Sequence, residues 1–586
     1  MKRLLVALNA KFTHTNLAVR CIAAYGRAHY QLESEYVEFT INQYTDYIVE
    51  RLYSMQPDLL CFSCYIWNIE QVRDIIAQYK LISPETIIIA GGPEVSFEWE
   101  EFLKENPFVD YLVLGEGEDS LNRLFYSLEQ GEIQIDKLPG IVFHQKGQFY
   151  KGPTANPVDL ALLPFPYKGE LLPEHRILYY ESSRGCPFRC QYCLSGGEGR
   201  VRLRPLELVL PELQVFLDQK VPQVKFVDRT FNCDKRHAME IWNYLKEHDN
   251  GITNFHFEIT ASLLNREMLQ FLKTVRKEQF QFEIGVQSTN AQTLQAICRA
   301  EDFNQLSETV REINSGQNIH QHLDLIAGLP FEDLSSFEHS FCDVIALRPE
   351  QLQLGFLKLL KGSGLRKKAE EYGIRYSTKA PYQALCTNWL TPGEMFRLHH
   401  LEEMVETYYN SGRFNTAISF LLKQFSSPYR FFDGLAEFFY ARGYSGAKFP
   451  KEELYTILCN YTEEQFGQLP PELPFLCLFD AILHEKPRKL PEWMYHVPTE
   501  HEKAVSAAVF RDQELMKQLL SEYSEESPSK LSRLAHLEFL PIHPLTLKWD
   551  VTPVLVNYRR RGIDGRAAYF IVNTDKYHQT CDSEQQ

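Results

Sequence analysis

Cys186, Cys190 and Cys193 stand in a C-x3-C-x2-C spacing within Arg-Gly-Cys-Pro-Phe-Arg-Cys-Gln-Tyr-Cys-Leu-Ser-Gly-Gly, residues 184–197. Nothing else in the chain restricts its fold and chemistry so tightly. Three thiolates on one short loop can hold three irons of a four-iron four-sulfur cubane. With no fourth ligand nearby, one iron stays open to a small molecule. Structural zinc is the alternative, but such sites pair two knuckles to close a tetrahedron, and no second knuckle lies close in sequence. Three unrelated core cysteines are the remaining reading.

A chain of 586 residues is long enough for three or four domains of about 150 residues each. Its 44% apolar and 24% charged residues suit a soluble globular protein. No apolar run approaches the ~20 residues of a membrane span, which argues against a membrane partner. The first apolar run, Leu4–Leu8, reads as a strand and not as a signal peptide. Thirteen cysteines without a disulfide pattern suit a reducing, cytoplasmic setting. A net charge of −16 argues against a nucleic-acid partner, since phosphate contacts need concentrated Lys and Arg.

Around the cysteines the chain alternates strands and helices. In 1–132, strand-like runs at Leu4–Leu8, Glu35–Ile41, Leu59–Ile66, Thr86–Ala90 and Tyr111–Leu114 are separated by helical spacing such as Ile69–Leu81. Near-continuous apolar strands between helices predict a doubly wound α/β domain with a parallel sheet covered on both faces. Ligands of such sheets sit at the strands' carboxyl ends. Ser63, Gly91-Gly92-Pro93-Glu94 and Gly115-Glu116-Gly117 fall there, the glycines allowing close backbone approach. Residues 133–175 read as a proline-containing connector. In 176–370 the rhythm resumes with strands at Ile177–Ser182, Gln223–Val227, Phe255–Ile259, Phe280–Ile284, His322–Ile326 and Gln351–Leu357. Six strands so spaced predict a partial (βα)6 TIM-type barrel with its chemistry at the carboxyl ends. Asp228, Glu258, Gly285, Gln287, Ser288, Arg299, Asp324 and Gly328 lie at those ends or just past them, although a carboxylate there also serves as a helix cap. Arg200, Arg202 and Arg204 alternate, as a carboxylate clamp or a solvent-facing strand edge would. Residues 371–586 read as a mostly helical domain whose aromatics form core. A small sheet from Leu545–Val551, Val554–Tyr558 and Ala567–Val572 and a frayed tail at 577–586 are expected to close it.

The cysteine loop resembles that of radical S-adenosylmethionine (radical SAM) enzymes. Gly285-Val286-Gln287-Ser288, then Arg299, then Asp324-Leu325-Ile326-Ala327-Gly328-Leu329-Pro330, resemble the SAM-binding elements of the coproporphyrinogen-oxidase-like branch. The glycine-bearing loops of 1–132, placed just ahead, resemble a cobalamin-binding domain. The resemblance covers residues 1 to about 370. It implies a 4Fe-4S cluster on Cys186, Cys190 and Cys193, with SAM bound through its amino and carboxylate groups at the open iron. Asp228, Glu258, Gly285, Gln287, Ser288, Arg299, Asp324 and Gly328 would cradle SAM. Ser63, Gly91, Gly92, Glu94, Gly115, Glu116 and Gly117 would hold cobalamin. Two departures bear on this. The family's Gly-Gly-Glu at the second strand is replaced by Val227-Asp228. The D-x-H-x-x-G of many cobalamin proteins is absent, so His14 is expected to be a loop residue and the cobalt to lack a protein histidine.

The function implied is reductive cleavage of SAM to a 5′-deoxyadenosyl radical, with methylation of an unactivated carbon of a small-molecule substrate. A flavodoxin- or ferredoxin-type protein would supply the electron. A cobalamin-dependent rearrangement, ring contraction or cyclisation is the enzymatic alternative, and a cobalamin-responsive regulator the non-enzymatic one. Substituting any one of Cys186, Cys190 or Cys193 by Ala is expected to abolish reductive SAM cleavage. A triple variant that kept a full complement of iron, sulfide and activity after anaerobic reconstitution would refute the cluster assignment.

Overall fold

The structure, a computed structural model, describes residues 1–577 apart from 132, 196–199, 487–489, 495–496, 524–525 and 563–564. It forms two compact units, 1–337 with 355–392, and 338–354 with 393–586.

The first sheet runs β1 (Arg3–Asn9), β2 (Glu35–Thr40), β3 (Leu59–Ser63), β4 (Ile87–Gly91), β5 (Tyr111–Val113), β6 (Ile141–Gln145) and β7 (Gln148–Lys151). Its spatial order is β2-β1-β3-β4-β5-β6-β7, parallel through β5 and antiparallel beyond. The reversal between β1 and β3 is the switch point of a doubly wound fold. Leu4, Val6 and Leu8 pack with Ile48, Leu52, Val72 and Ile76 from helices Thr45–Met55 and Ile69–Ile82. Leu5 and Ala7 pack the other way, with Val19, Ala23, Leu121 and Leu124 from helices Leu17–Tyr30 and Gly117–Gln130. Burial on both faces is why these strands read as unbroken apolar runs. The β6–β7 hairpin carries the sheet past the boundary expected at 132.

The second sheet begins at β8 (Leu178–Tyr180). The antiparallel hairpin of β9 (Ser183–Gly185) and β10 (Val201–Leu203) then encloses the cysteine loop. β11 (Gln223–Phe226), β12 (Asn254–Ile259), β13 (Phe280–Gln287), β14 (His320–Ala327) and β15 (Gln351–Phe356) complete the order β15-β14-β13-β12-β11-β8. Phe257, Phe280 and Phe282 pack on Trp242 of helix Lys235–Glu247. The alternate residues Lys225, His256, Glu258, Glu283, His322 and Asp324 occupy the opposite face, as period-two alternation requires. This is the partial barrel expected, with a polar inner face. Residues 355–392 group with this unit, beyond the boundary expected at 370.

The second unit is mainly helical, and Tyr429, Phe431, Phe432, Phe438 and Phe439 form core. Its small sheet corrects one expectation. The strands are His536–Leu540, Thr552–Arg561 and Ala567–Ile571, whereas Leu545–Val551 is a turn segment. There His543 Nδ1 accepts from the backbone N–H groups of Leu545 and Thr546, each at 3.2 Å, and Leu547 is left-handed at φ 58°. Pro541 and Pro544, which lack an N–H, also break a ladder there. Tyr577, the first residue of the expected tail, is tied to Asp512 at 2.6 Å; 578–586 lie outside the described residues.

Candidate functional site

Asp228, at the end of β11, is fully buried. Its carboxylate accepts from Ser182 N at 3.0 Å and from the Ser182 and Ser183 hydroxyls at 2.6 Å each. Those three bonds set the turn from β8 into β9, from which the cysteine loop departs. Asp228 is therefore committed to protein groups, away from the SAM contact expected of it. Within the loop the three thiols are free and half-buried. Cys186 Sγ lies 3.5 Å from Thr230 Oγ1, Cys193 N donates to Cys190 O at 3.1 Å, and Ser195 N donates to Cys193 Sγ at 3.4 Å. Cubane ligands bind separate irons, so three thiols on one loop are a donor set that fits the cluster.

Arg299 reaches the loop from the far side of the barrel. Its Nη1 donates to Tyr192 Oη at 3.4 Å, Nη2 donates to Gly285 O, and Gln191 N donates to Ile297 O at 2.9 Å. Arg299 Nε is buried with no hydrogen-bond partner among the described residues. An orphaned guanidinium N–H beside the cysteines fits an anionic group of a ligand bound there. Gly285 is opposite Asp324 in the β13–β14 ladder, which shifts register between Gly285 and Gln287. A side chain at Gly285 would overlap Gln287 Nε2 and come within 3.5 Å of Arg299 Nη2. Asp324 Oδ1 is also buried without a partner. Burial, then Glu283 and Glu258, raise the Asp324 carboxyl well above the carboxylate range. Burial pushes Glu258 up to about 7 against the pull of Arg229. Gly285, Gln287, Arg299, Glu258 and Asp324 thus gather at one end of the barrel. Ser288 is turned away, donating to Glu332 Oε1 at 2.6 Å, and Gly328 makes a left-handed turn at φ 90°.

At the carboxyl end of the first sheet, Asn68 organises the loops. Its Nδ2 donates to Leu8 O (3.1 Å) and Ser63 O (2.9 Å), and its Oδ1 accepts from Tyr65 N (2.8 Å). The rings of Tyr65 and Trp67 stack at 4.4 Å, and Trp67 is 44% exposed. Gly115, left-handed at φ 82°, has open space where a side chain would stand. A flat aromatic pair, half-buried Ser63 and an uncrowded glycine backbone fit a large planar ligand. Other expected contacts are engaged elsewhere. A side chain at Gly92 would stand 2.5 Å from Cys64 O, so neighbouring backbone demands that glycine. Gly91 and Gly117 pack at 3.4 Å on Val113 and Ile22 by the same measure. Glu94 is buried and accepts from Tyr382 Oη at 2.8 Å, and Glu116 faces Arg184 and Arg202. His14 Nδ1 lies 2.5 Å from Tyr179 Oη, in keeping with a loop role. Arg202 and Arg204 form no ligand clamp. Arg202 donates to Val158 O, while buried Arg204 holds Glu212 and the carbonyls of Leu160 and Leu163, pinning the connector. Arg200 is exposed.

Burial pushes the Asp228 carboxyl up to about 6, above the ordinary ~3.9 of an unfolded chain. A raised folded value means that its contribution is full below about pH 4 and is lost as pH rises through about 6. Comparing wild type with Asp228→Asn by denaturant unfolding, wild type should lose about 3 kcal/mol relative to the variant between pH 4 and 7. Parallel pH profiles would show that this carboxyl titrates normally.

Residues 3–125 match the model of the B12 binding domain, 180–341 that of the Radical SAM superfamily, and 370–553 a family described as a protein of unknown function (DUF4080). The cobalamin-dependent radical SAM methyltransferase TokK of Streptomyces tokunonensis is 26% identical, over 56% of this chain and 51% of TokK. The hopanoid C-3 methylase of Methylococcus capsulatus is 27% identical, over 44% of this chain and 51% of its own. The chain thus spans about half the length of these curated relatives. Among solved structures, the cobalamin-dependent SAM radical enzyme OxsB, with aqua-cobalamin and SAM bound, shares the fold at a TM-score of 0.56 and 15% identity, over 80% of this chain and 79% of OxsB. The chain thus carries a match to the B12 binding domain ahead of a match to the Radical SAM superfamily, with Cys186, Cys190 and Cys193 inside the second, and it is similar in both to cobalamin-dependent radical SAM enzymes.

Proposed function

We propose that the protein is a cobalamin-dependent radical SAM methyltransferase acting at an unactivated carbon of a small molecule. The observation that carries this reading is Arg184: it joins the loop after β5, next to Gly115, to the first residue of the cysteine motif. Machinery that must act on one substrate from two cofactors needs both held in fixed register. The methyltransferase names of the relatives support the same reading. When bound, the cluster with SAM supplies a 5′-deoxyadenosyl radical, and cobalamin supplies a transferable methyl group.

The chain's own residues then orient and shield. Arg299, whose Nη1 and Nη2 are held by Tyr192 and Gly285, would offer its unpartnered Nε to the SAM carboxylate. The bare backbone at Gly285 allows close approach, and Gln287 lies over it. The raised carboxyls of Glu258 and Asp324 can donate as well as accept toward hydroxyls. His14 is committed to Tyr179 and would not serve as a cobalt ligand. A reducing cytoplasm and a flavodoxin- or ferredoxin-type donor belong to this proposal. Among the described residues no helix is long and apolar enough to cross a membrane.

Two outcomes test it. A methylase consumes two SAM molecules per product, so 5′-deoxyadenosine and S-adenosylhomocysteine should form in equal amounts with the true substrate. Deoxyadenosine with product but no homocysteine, over multiple turnovers, would favour rearrangement or cyclisation. Separately, Gly285→Val should lose SAM binding in equilibrium dialysis while keeping cluster iron and sulfide. Unchanged SAM affinity would remove the cradle assignment.

A further inference from the structure

Arg184 lies two residues before Cys186, and its guanidinium is enclosed by three carboxylates. Nη2 is 2.8 Å from Glu118 Oε1 and Nη1 is 3.1 Å from Glu116 Oε2; Nε and Nη2 reach Glu181 at 3.0 and 2.7 Å. Glu116 is itself held by Arg202 and by Val158 N at 2.7 Å. Glu116 and Glu118 flank Gly117 at the start of helix Gly117–Gln130, directly after the open, left-handed Gly115. On the other side, a side chain at Gly185 would overlap Arg200 O, so the backbone beside Cys186 is packed against the segment entering β10. The path from the open end of the first sheet to the first cysteine is therefore one loop, one guanidinium and one immobilised glycine. A guanidinium is a planar fork that fixes its carboxylates in direction as well as distance; an ammonium fixes neither.

We infer that Arg184 is a positioning residue that sets the separation and orientation of the cobalamin loop relative to the cluster loop. It acts through Glu116 and Glu118 and does not touch a cofactor. The inference rests on the reading that both cofactors bind this chain. Other contacts join the same two regions, among them Arg204 with the connector and Tyr382 with Glu94. These attach to the connector and to the segment after the barrel, and His14 attaches to Tyr179 of β8; at the β9–β10 hairpin itself Arg202, the ladder partner of Arg184, shares Glu116 with it.

The test uses the full chain loaded with cluster and cobalamin, and reads the distance distribution between Co(II) and the reduced cluster by pulsed electron paramagnetic resonance. Wild type should give one narrow distribution. Arg184→Gln should keep both cofactors and lose the narrow distribution; Arg184→Lys, with charge but no fork, should recover it only in part. Glu118→Gln, remote in sequence from the cysteines, should broaden it too, and covers the case in which the Arg184 variants fail to take up the cluster. Arg27→Gln, whose Glu33 partner is exposed, should change nothing. In cofactor-free protein, Arg184→Gln should speed hydrogen exchange at 115–119 and 157–160. Distributions unchanged from wild type in Arg184→Gln and Glu118→Gln would overturn the inference alone. Wild type that takes up the cluster but no cobalamin would overturn the functional reading, and this inference with it.

Discussion

The contact on which the rest depends is the closure of Glu116, Glu118 and Glu181 around Arg184, with Arg202 sharing Glu116. Burial by itself would lower the Arg184 pKa, but Glu118 and Glu181 more than reverse this, so the guanidinium is firmly charged. Arg202 and Arg184 together draw the Glu116 carboxyl below the usual range against its burial. A partly buried network of this kind is unforgiving: removing one member leaves charges without partners, at a cost of about 3–5 kcal/mol in fully buried cases. Its members come from the end of β5, the turn after β8 and the two strands enclosing the cysteines. A shift in either sheet would break it.

The barrel's inner face carries a second constraint. TIM-type barrels usually fill with branched apolar side chains. Here the outward face takes the phenylalanines, and the inner face pairs His256 with Glu283 at 3.0 Å and Gln281 with His322 at 2.6 Å. The pairing with His256 draws the Glu283 carboxyl down to about 2, against burial, while burial and His320 drive His322 to about 3. The Glu283 anion, the Lys225 cation and neutral imidazoles therefore share the face with Glu258 and Asp324, whose carboxyls are held high. Carboxylate charge is thus suppressed at the end of the barrel where Arg299 Nε and Asp324 Oδ1 are without partners among the described residues.

Much of this architecture was legible because its signals are local. Apolar strands covered on both faces mark themselves by composition, and the C-x3-C-x2-C loop marks itself by spacing. Arg299, Gln287, Gly285, Glu258 and Asp324 lie at the ends of successive barrel strands or just beyond, so counting strands brings them together. Asp228 was misread for a physical reason. A carboxylate at a strand end looks the same in sequence whether it meets a ligand or three donors from the next turn. Leu545–Val551 misled because its apolar alternation ignores the His543 ring, which captures two backbone N–H groups and folds the segment over.

The sequence by itself determined the two α/β rhythms and the thiol set, since each rests on near neighbours in the chain. Only the tertiary structure decided which polar residues are engaged by the protein and which are left without a partner among the described residues. Glu116, Glu94, Arg202 and Arg204 each had a plausible cofactor role. Their partners Arg184, Tyr382, Glu116 and Glu212 stand 68, 288, 86 and 8 residues away. A charged side chain approaching burial takes the nearest compensating charge or hydrogen-bond donor in space, and except for Glu212 that partner comes from a distant stretch of chain.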